Sequence, residues 1–181
     1  VGRDLSDRFP KRTPHIGEVA MEVKDWTVYH PIYEGRKVVD NVNFNVRKGE
    51  VVGISGLMGA GRTELAMSIF GRSYGSHITG TLTIGGKEVH LKTVKEAINA
   101  KLAYVTEDRK GNGLVLTNPI RVNTTLAKLD KVSNHGVIDR DKEVQVAEDY
   151  RSKLRTKCPS VEQNVGNLSG GNQQKVLLAK W

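Results

Sequence analysis

The stretch VVGISGLMGAGRTELAMSIFGR, residues 51–72, decides the fold of this chain. Its apolar opening, VVGIS at 51–55, reads as a strand buried on both faces, and TELAMSIFGR at 63–72 reads as a helix. Between them GLMGAGRTE, residues 56–64, has the outline of a phosphate-binding loop. In such a loop the glycines let successive backbone N–H groups curl around a phosphate. The helix N-terminus adds the positive end of its dipole, and a Ser or Thr hydroxyl ligates magnesium. Gly56, Gly59, Ala60, Gly61 and Thr63 supply these parts. Arg62 stands where lysine is expected; it keeps the charge, but its planar fork does not replace a compact ammonium, so binding survives better than hydrolysis. Taken alone, the motif reads equally as a glycine turn that packs a helix on a sheet.

Working outward, EVAMEVKDWTVYH at 18–30 and KVVDNVNFNV at 37–46 alternate apolar and polar residues and read as neighbouring antiparallel strands. Downstream, TGTLTIGG at 79–86 is a strand with a glycine turn and TVKEAINAK at 93–101 a short helix. LAYV at 102–105 is a second buried strand, leading into the polar loop TEDRKGNGL. From about 121 to 157 the pattern turns helical. In DRDKEVQVAEDYRSKL, residues 139–154, Val144, Ala147, Tyr150 and Leu154 form the expected apolar stripe.

At 181 residues the chain can bury one good core, with room for a subdomain. The lone Cys158 leaves no internal disulfide and no cysteine-based metal cluster, and suits a reducing compartment. His15, His30, His77, His90 and His135 lack the close spacing of a zinc site. No apolar run approaches the ~20 residues of a membrane-spanning helix. The net charge of +8 invites a polyanion, yet the cations are interspersed with Asp and Glu as on an ordinary solvated surface, and no nucleic acid is expected.

A second glycine motif follows the helical segment: Leu168-Ser169-Gly170-Gly171-Asn172-Gln173-Gln174. Serine and two glycines at a helix start form an anion receptor, or else a plain N-cap with a tight turn. The order of features selects between them. A phosphate loop, a loop after a buried strand, a helical segment and then LSGG resembles the ATP-binding subunit of ATP-binding cassette (ABC) transporters. LSGGNQQK, with GLMGAGRTE and TEDRKGNGLV, is more narrowly similar to the second cassette of the double-cassette ATPases that power bacterial monosaccharide importers of the ribose, galactose and xylose type. VKDWTVYHP and VTEDRKGNGLVL lean toward the xylose or multiple-sugar branch.

The resemblance implies an α/β fold, a P-loop NTPase of the ABC ATPase type, with a mixed central sheet, a small antiparallel sheet and a helical subdomain. It implies an inter-cassette linker over 1–18 and a partial ATP-binding domain over 19–181, with a core to about 115, a helical subdomain over about 116–166 and a signature helix over 167–181. ATP and Mg2+ are the implied cofactors. Residues 56–63 are the Walker A loop, with Thr63 at the magnesium position. An aromatic, Tyr29 or alternatively Trp26 or Tyr33, stacks on adenine. Glu107 stands where most cassettes carry glutamine; with Arg62 it puts hydrolysis at this particular site in doubt. Ser169, Gly170 and Gly171 act on the partner cassette's ATP.

The same resemblance implies three partners: the first cassette of the same polypeptide, the membrane permease, and indirectly a sugar-binding protein. The expected location is the cytoplasmic face of the membrane. LAYVTED looks superficially like Walker B, but in the family Walker B follows the signature helix. The chain lacks an initial methionine and stops at Trp181 within an apolar-periodic run, so it reads as part of something longer, inactive alone for want of Walker B. Two rivals remain: an ABC-type ATPase of DNA repair or chromosome organisation, and a regulatory module that binds nucleotide without hydrolysing it.

Overall fold

A computed structural model describes residues 13–181. The chain divides after Leu102 into two compact units; the expected boundary between core and helical subdomain stood near 115. Residues 1–12 of the expected linker lie outside the described residues. The rest of it is fastened to the first sheet: Gly17 N–H donates to the Lys48 carbonyl at 2.9 Å, and the Arg47 Nε–H donates to the Gly17 carbonyl at 2.8 Å.

The first unit is built on β1 (Val19–Tyr29), β2 (Lys37–Arg47), β3 (Ser76–Ile84) and β4 (Lys87–Glu88), in the order β2-β1-β3-β4 with antiparallel pairing throughout. The expected β1–β2 neighbours are therefore formed. Along β1 the inward positions Val23, Trp26 and Val28 are buried, and the step of three between the first two marks a bulge. Asp25 takes the extra residue at φ 51°, its N–H donating to Asn43 Oδ1 at 2.9 Å. A bulge of this kind keeps an apolar face continuous when the alternation slips by one.

Helix α1 (Arg62–Ile69) covers that face with Leu65 and Ile69, which join Val23, Trp26, Val28, Val39 and Leu82 in one core. Helix α2 (Val94–Asn99) is capped reciprocally: Thr93 Oγ1 accepts from Glu96 N–H at 3.2 Å, and Glu96 Oε2 accepts from Lys92 N–H at 2.7 Å.

The two runs expected as strands of the central sheet behave differently. Residues 51–55 and 102–105 carry no strand pairing, and Val51 is 81% exposed. A strand buried on both faces needs neighbours on both sides to satisfy its N–H and C=O groups. Among the described residues no strand pairs with either run, so each remains an unpaired segment.

The second unit begins with a π-helical turn (Arg109–Gly113). It continues through α3 (Ile120–Thr125), a 3-10 stretch (Leu126–Lys131), the hairpin β5 (Ser133–Asn134) and β6 (Val137–Ile138), α4 (Arg140–Lys153) and α5 (Gly170–Lys180). Its core joins Ile120, Ala147, Val161, Val165, Leu168, Val176 and Leu177. The stripe expected on α4 is only half right. Ala147 is buried, but Tyr150 is exposed, and Glu143 takes the inner position at 2% exposure. The carboxylate is tolerated there because it is paired: Arg121 Nη1 reaches Glu143 Oε2, and Thr125 Oγ1 donates to Glu143 Oε1 at 2.9 Å.

Candidate nucleotide and signature sites

Gly61 closes the first glycine loop and caps α1 with φ 80°. A Cβ at this position would stand 2.4 Å from the Val38 carbonyl oxygen, so glycine is required both by conformation and by the closeness of β2. Gly59, at φ 82°, faces open space. Gly61 has no side chain to cap the helix, which leaves the first-turn N–H groups of α1 directed out of the helix end. This donor set fits a phosphate.

Other loop groups are engaged internally. Ala60 N–H donates to the Leu57 carbonyl at 3.1 Å, and the Arg62 guanidinium bends back to the same oxygen at 3.4 Å. Behind the loop lies a cavity of about 570 Å³, bounded by Val38, Val42 and Phe44 of β2, by Ile54 and Ser55, and by Leu65 of α1. Magnesium finds less here. Thr63 offers one hydroxyl, and among the described residues no group of three His, Cys, Asp or Glu is placed to hold a metal. Mg2+ at this loop would need phosphate oxygens, water and a further carboxylate.

The aromatic candidates separate clearly. Trp26 is 4% exposed and donates its indole N–H to Ser68 Oγ, so it belongs to the core and cannot stack on a ligand. Tyr29 is half-buried, edge-on to His77 with ring centroids 6.2 Å apart, and does not line the cavity behind the loop. Tyr33 is exposed, packing on His30 at 4.6 Å with the Arg36 guanidinium 5.9 Å from its ring centre.

Gly56, Gly59, Ala60, Gly61, Arg62, Thr63 and Tyr29 belong to the first unit, and Glu107 and the LSGG residues to the second. Glu107 is exposed, and its carbonyl accepts from Arg109 N–H at 3.1 Å. The loop beyond it ends on Gly113, whose carbonyl accepts the Lys180 ammonium at 2.8 Å; burial pushes the pKa of that lysine down.

Ser169 is the N-cap of α5, yet its hydroxyl makes no capping bond to the helix N–H groups. Ser169, Gly170 and Gly171 are all exposed. A Cβ on Gly171 would meet nothing within 4 Å, and one on Gly170 would meet only Arg109 Nη2, at 3.5 Å. Internal packing therefore does not demand two glycines at 170 and 171. They leave backbone N–H groups bare at the positive end of an 11-residue helix.

The residues after the glycines hold the helix in place. Gln173 Nε2 donates to the carbonyls of Val165 and Leu168 at 3.3 and 3.2 Å. The Lys175 ammonium donates to the Arg155 carbonyl at 2.7 Å, and Asn172 bonds both Lys157 and Ser169. The only sequence signal for these roles was the unusual continuation NQQK itself.

Fold and motifs together define a nucleotide-binding cassette, and comparison with known proteins gives the family. A family model described as ABC transporter matches residues 39–181, and the chain belongs to that family, with its α/β P-loop NTPase fold. An L-arabinose transport ATP-binding protein of Geobacillus stearothermophilus is 60% identical over 181 residues, covering 100% of this chain and 35% of the relative. A xylose import ATP-binding protein of Thermoanaerobacter pseudethanolicus is 46% identical, covering 100% of this chain and 36% of the relative. The chain thus spans about a third of the length of these relatives. Among solved structures, a dimeric post-hydrolysis ATP-binding cassette bound to ADP and Pi matches with a TM-score of 0.68 at 19% identity, over 88% of this chain and 68% of that one.

Proposed function

We propose that this chain is part of the ATP-binding subunit of a monosaccharide importer, corresponding to its second cassette over residues 19–181 behind an inter-cassette linker. The observation that carries the reading is the N-terminus of α5, where Ser169, Gly170 and Gly171 are exposed and the Ser169 side chain makes no capping bond to the helix. Similarity to arabinose and xylose transport ATP-binding proteins supports it.

In this reading two cassettes face each other head to tail, and each ATP lies between the glycine loop of one and the signature of the other. Residues 168–173 complete the site whose glycine loop belongs to the first cassette. The loop at 56–63 holds a second nucleotide, with Thr63 at its Mg2+; Arg62 and Glu107 weaken hydrolysis there. The bound ATP and Mg2+ supply the phosphoryl group and its charge neutralisation. Ser169 acts by donating a hydrogen bond to the γ-phosphate, and the Gly170 and Gly171 N–H groups act by charge complementarity, with no proton transfer. The chain alone, without a Walker B carboxylate, binds nucleotide and turns it over negligibly. Its partners are the first cassette, a permease at the cytoplasmic face of the membrane and, indirectly, a sugar-binding protein.

The test is ATP hydrolysis by the whole ATP-binding protein reconstituted with its permease in vesicles. Stimulation by sugar-loaded binding protein is expected. Stimulation by DNA in its place would overturn the reading in favour of a chromosome-associated ATPase.

A further inference from the structure

The Lys157 backbone N–H donates to Asn172 Oδ1 at 3.0 Å, and Asn172 Nδ2 lies 3.0 Å from Ser169 Oγ. A backbone N–H can only donate, so it fixes which end of the Asn172 amide is the oxygen. The NH2 end must then face Ser169. Ser169 Oγ accepts that bond, and its own O–H is left to point elsewhere, beside the exposed N–H groups of Gly170 and Gly171.

We propose that Asn172 is a positioning residue that turns the Ser169 hydroxyl into an outward donor, through the relay Lys157 N–H to Asn172 to Ser169. The proposal rests on the reading of Ser169 as a phosphate contact. With the hydroxyl reversed, a lone pair would face the anion and repel it; with the relay in place, the site presents donors only. The loop that anchors the relay is itself held. Lys175, one turn on from Asn172, donates to the Arg155 carbonyl, so the segment 155–157 is gripped at two points by the same face of α5.

Asn172→Asp separates this role from simple bracing. Aspartate still accepts the Lys157 N–H, but it offers Ser169 a second acceptor, which draws the hydroxyl proton inward. The experiment is ATP turnover against ATP concentration by the whole protein with its permease, for Asn172→Ala, Asn172→Asp, Ser169→Ala and the double variant Ser169→Ala/Asn172→Ala. Both Asn172 variants are expected to lose about tenfold or more in kcat, with KM for ATP shifting by less than about twofold. In the Ser169→Ala background the added loss from Asn172→Ala should fall below about twofold, because the two residues act as one unit.

A silent Asn172→Asp, or a loss from Asn172→Ala that multiplies equally in both backgrounds, overturns the proposal and leaves the signature reading standing. Wild-type turnover by Ser169→Ala overturns the signature reading itself, and the relay with it.

Discussion

The indole Nε1–H of Trp26 donates to Ser68 Oγ across 2.9 Å, and Ser68 passes the bond on to the Leu65 carbonyl at 2.8 Å. Both side chains are buried, so this chain of bonds ties β1 to the helix that leaves the glycine loop. Ser68→Ala strands a buried indole donor and is expected to cost about 1–3 kcal/mol. The shift in denaturant midpoint at constant slope measures it.

Gly61 and Gly59 share a left-handed conformation, at φ 80° and 82°, but differ in what surrounds them. Gly59→Ala should cost about 1–2 kcal/mol, the strain of a left-handed alanine alone. Gly61→Ala adds a collision with the Val38 carbonyl, which forces the loop off β2. Calorimetry of ATP binding should therefore show Gly61→Ala much weaker than Gly59→Ala; equal losses would show that the β2 contact does not shape the loop.

Glu143 is held inside the second unit by Arg121 and Thr125, and Arg121 also pairs with Glu162. Glu143→Ala leaves a half-buried guanidinium with Glu162 as its remaining partner and is expected to destabilise by about 1–3 kcal/mol. Thermal unfolding reads this directly.

Burial holds the Cys158 thiol above its ordinary range, with the Arg151 guanidinium pulling partly the other way. A raised pKa means less thiolate at any pH below it. The folded state therefore keeps its proton where the unfolded chain loses it, and the associated stability is complete below the unfolded thiol pKa and fades as pH rises through the folded one. Alkylation of Cys158 at mildly alkaline pH should be slower than that of a free cysteine and should accelerate on unfolding. Equal rates in the folded and unfolded protein would contradict this.

Much of this was legible in the sequence, for identifiable reasons. The alternation in β1 and β2, the glycine spacing before α1 and the Ser-Gly-Gly start of α5 are local patterns, and each appears where the pattern puts it. What escaped the sequence depends on partners distant along the chain. The bulge at Asp25, bonded to Asn43, and the inward turn of Glu143 toward Arg121 are set by neighbours that no short window of sequence contains. Trp26, an alternative to Tyr29 as adenine platform, is excluded by Ser68, which accepts its indole N–H. VVGIS and LAYV failed as strands because no strand among the described residues pairs with either run, and without that cover Val51, Ile54 and Val105 stay exposed.

The central claim is that the signature of this chain serves catalysis while its own Arg62 loop mainly holds nucleotide. It is tested most directly by ATP-driven sugar uptake into vesicles carrying the whole transporter with Ser169→Ala. Loss of one preorganised donor to a phosphoryl group costs about 10²–10³ in rate, so uptake should fall to about 1% of wild type or below. Uptake at the wild-type rate would contradict the account.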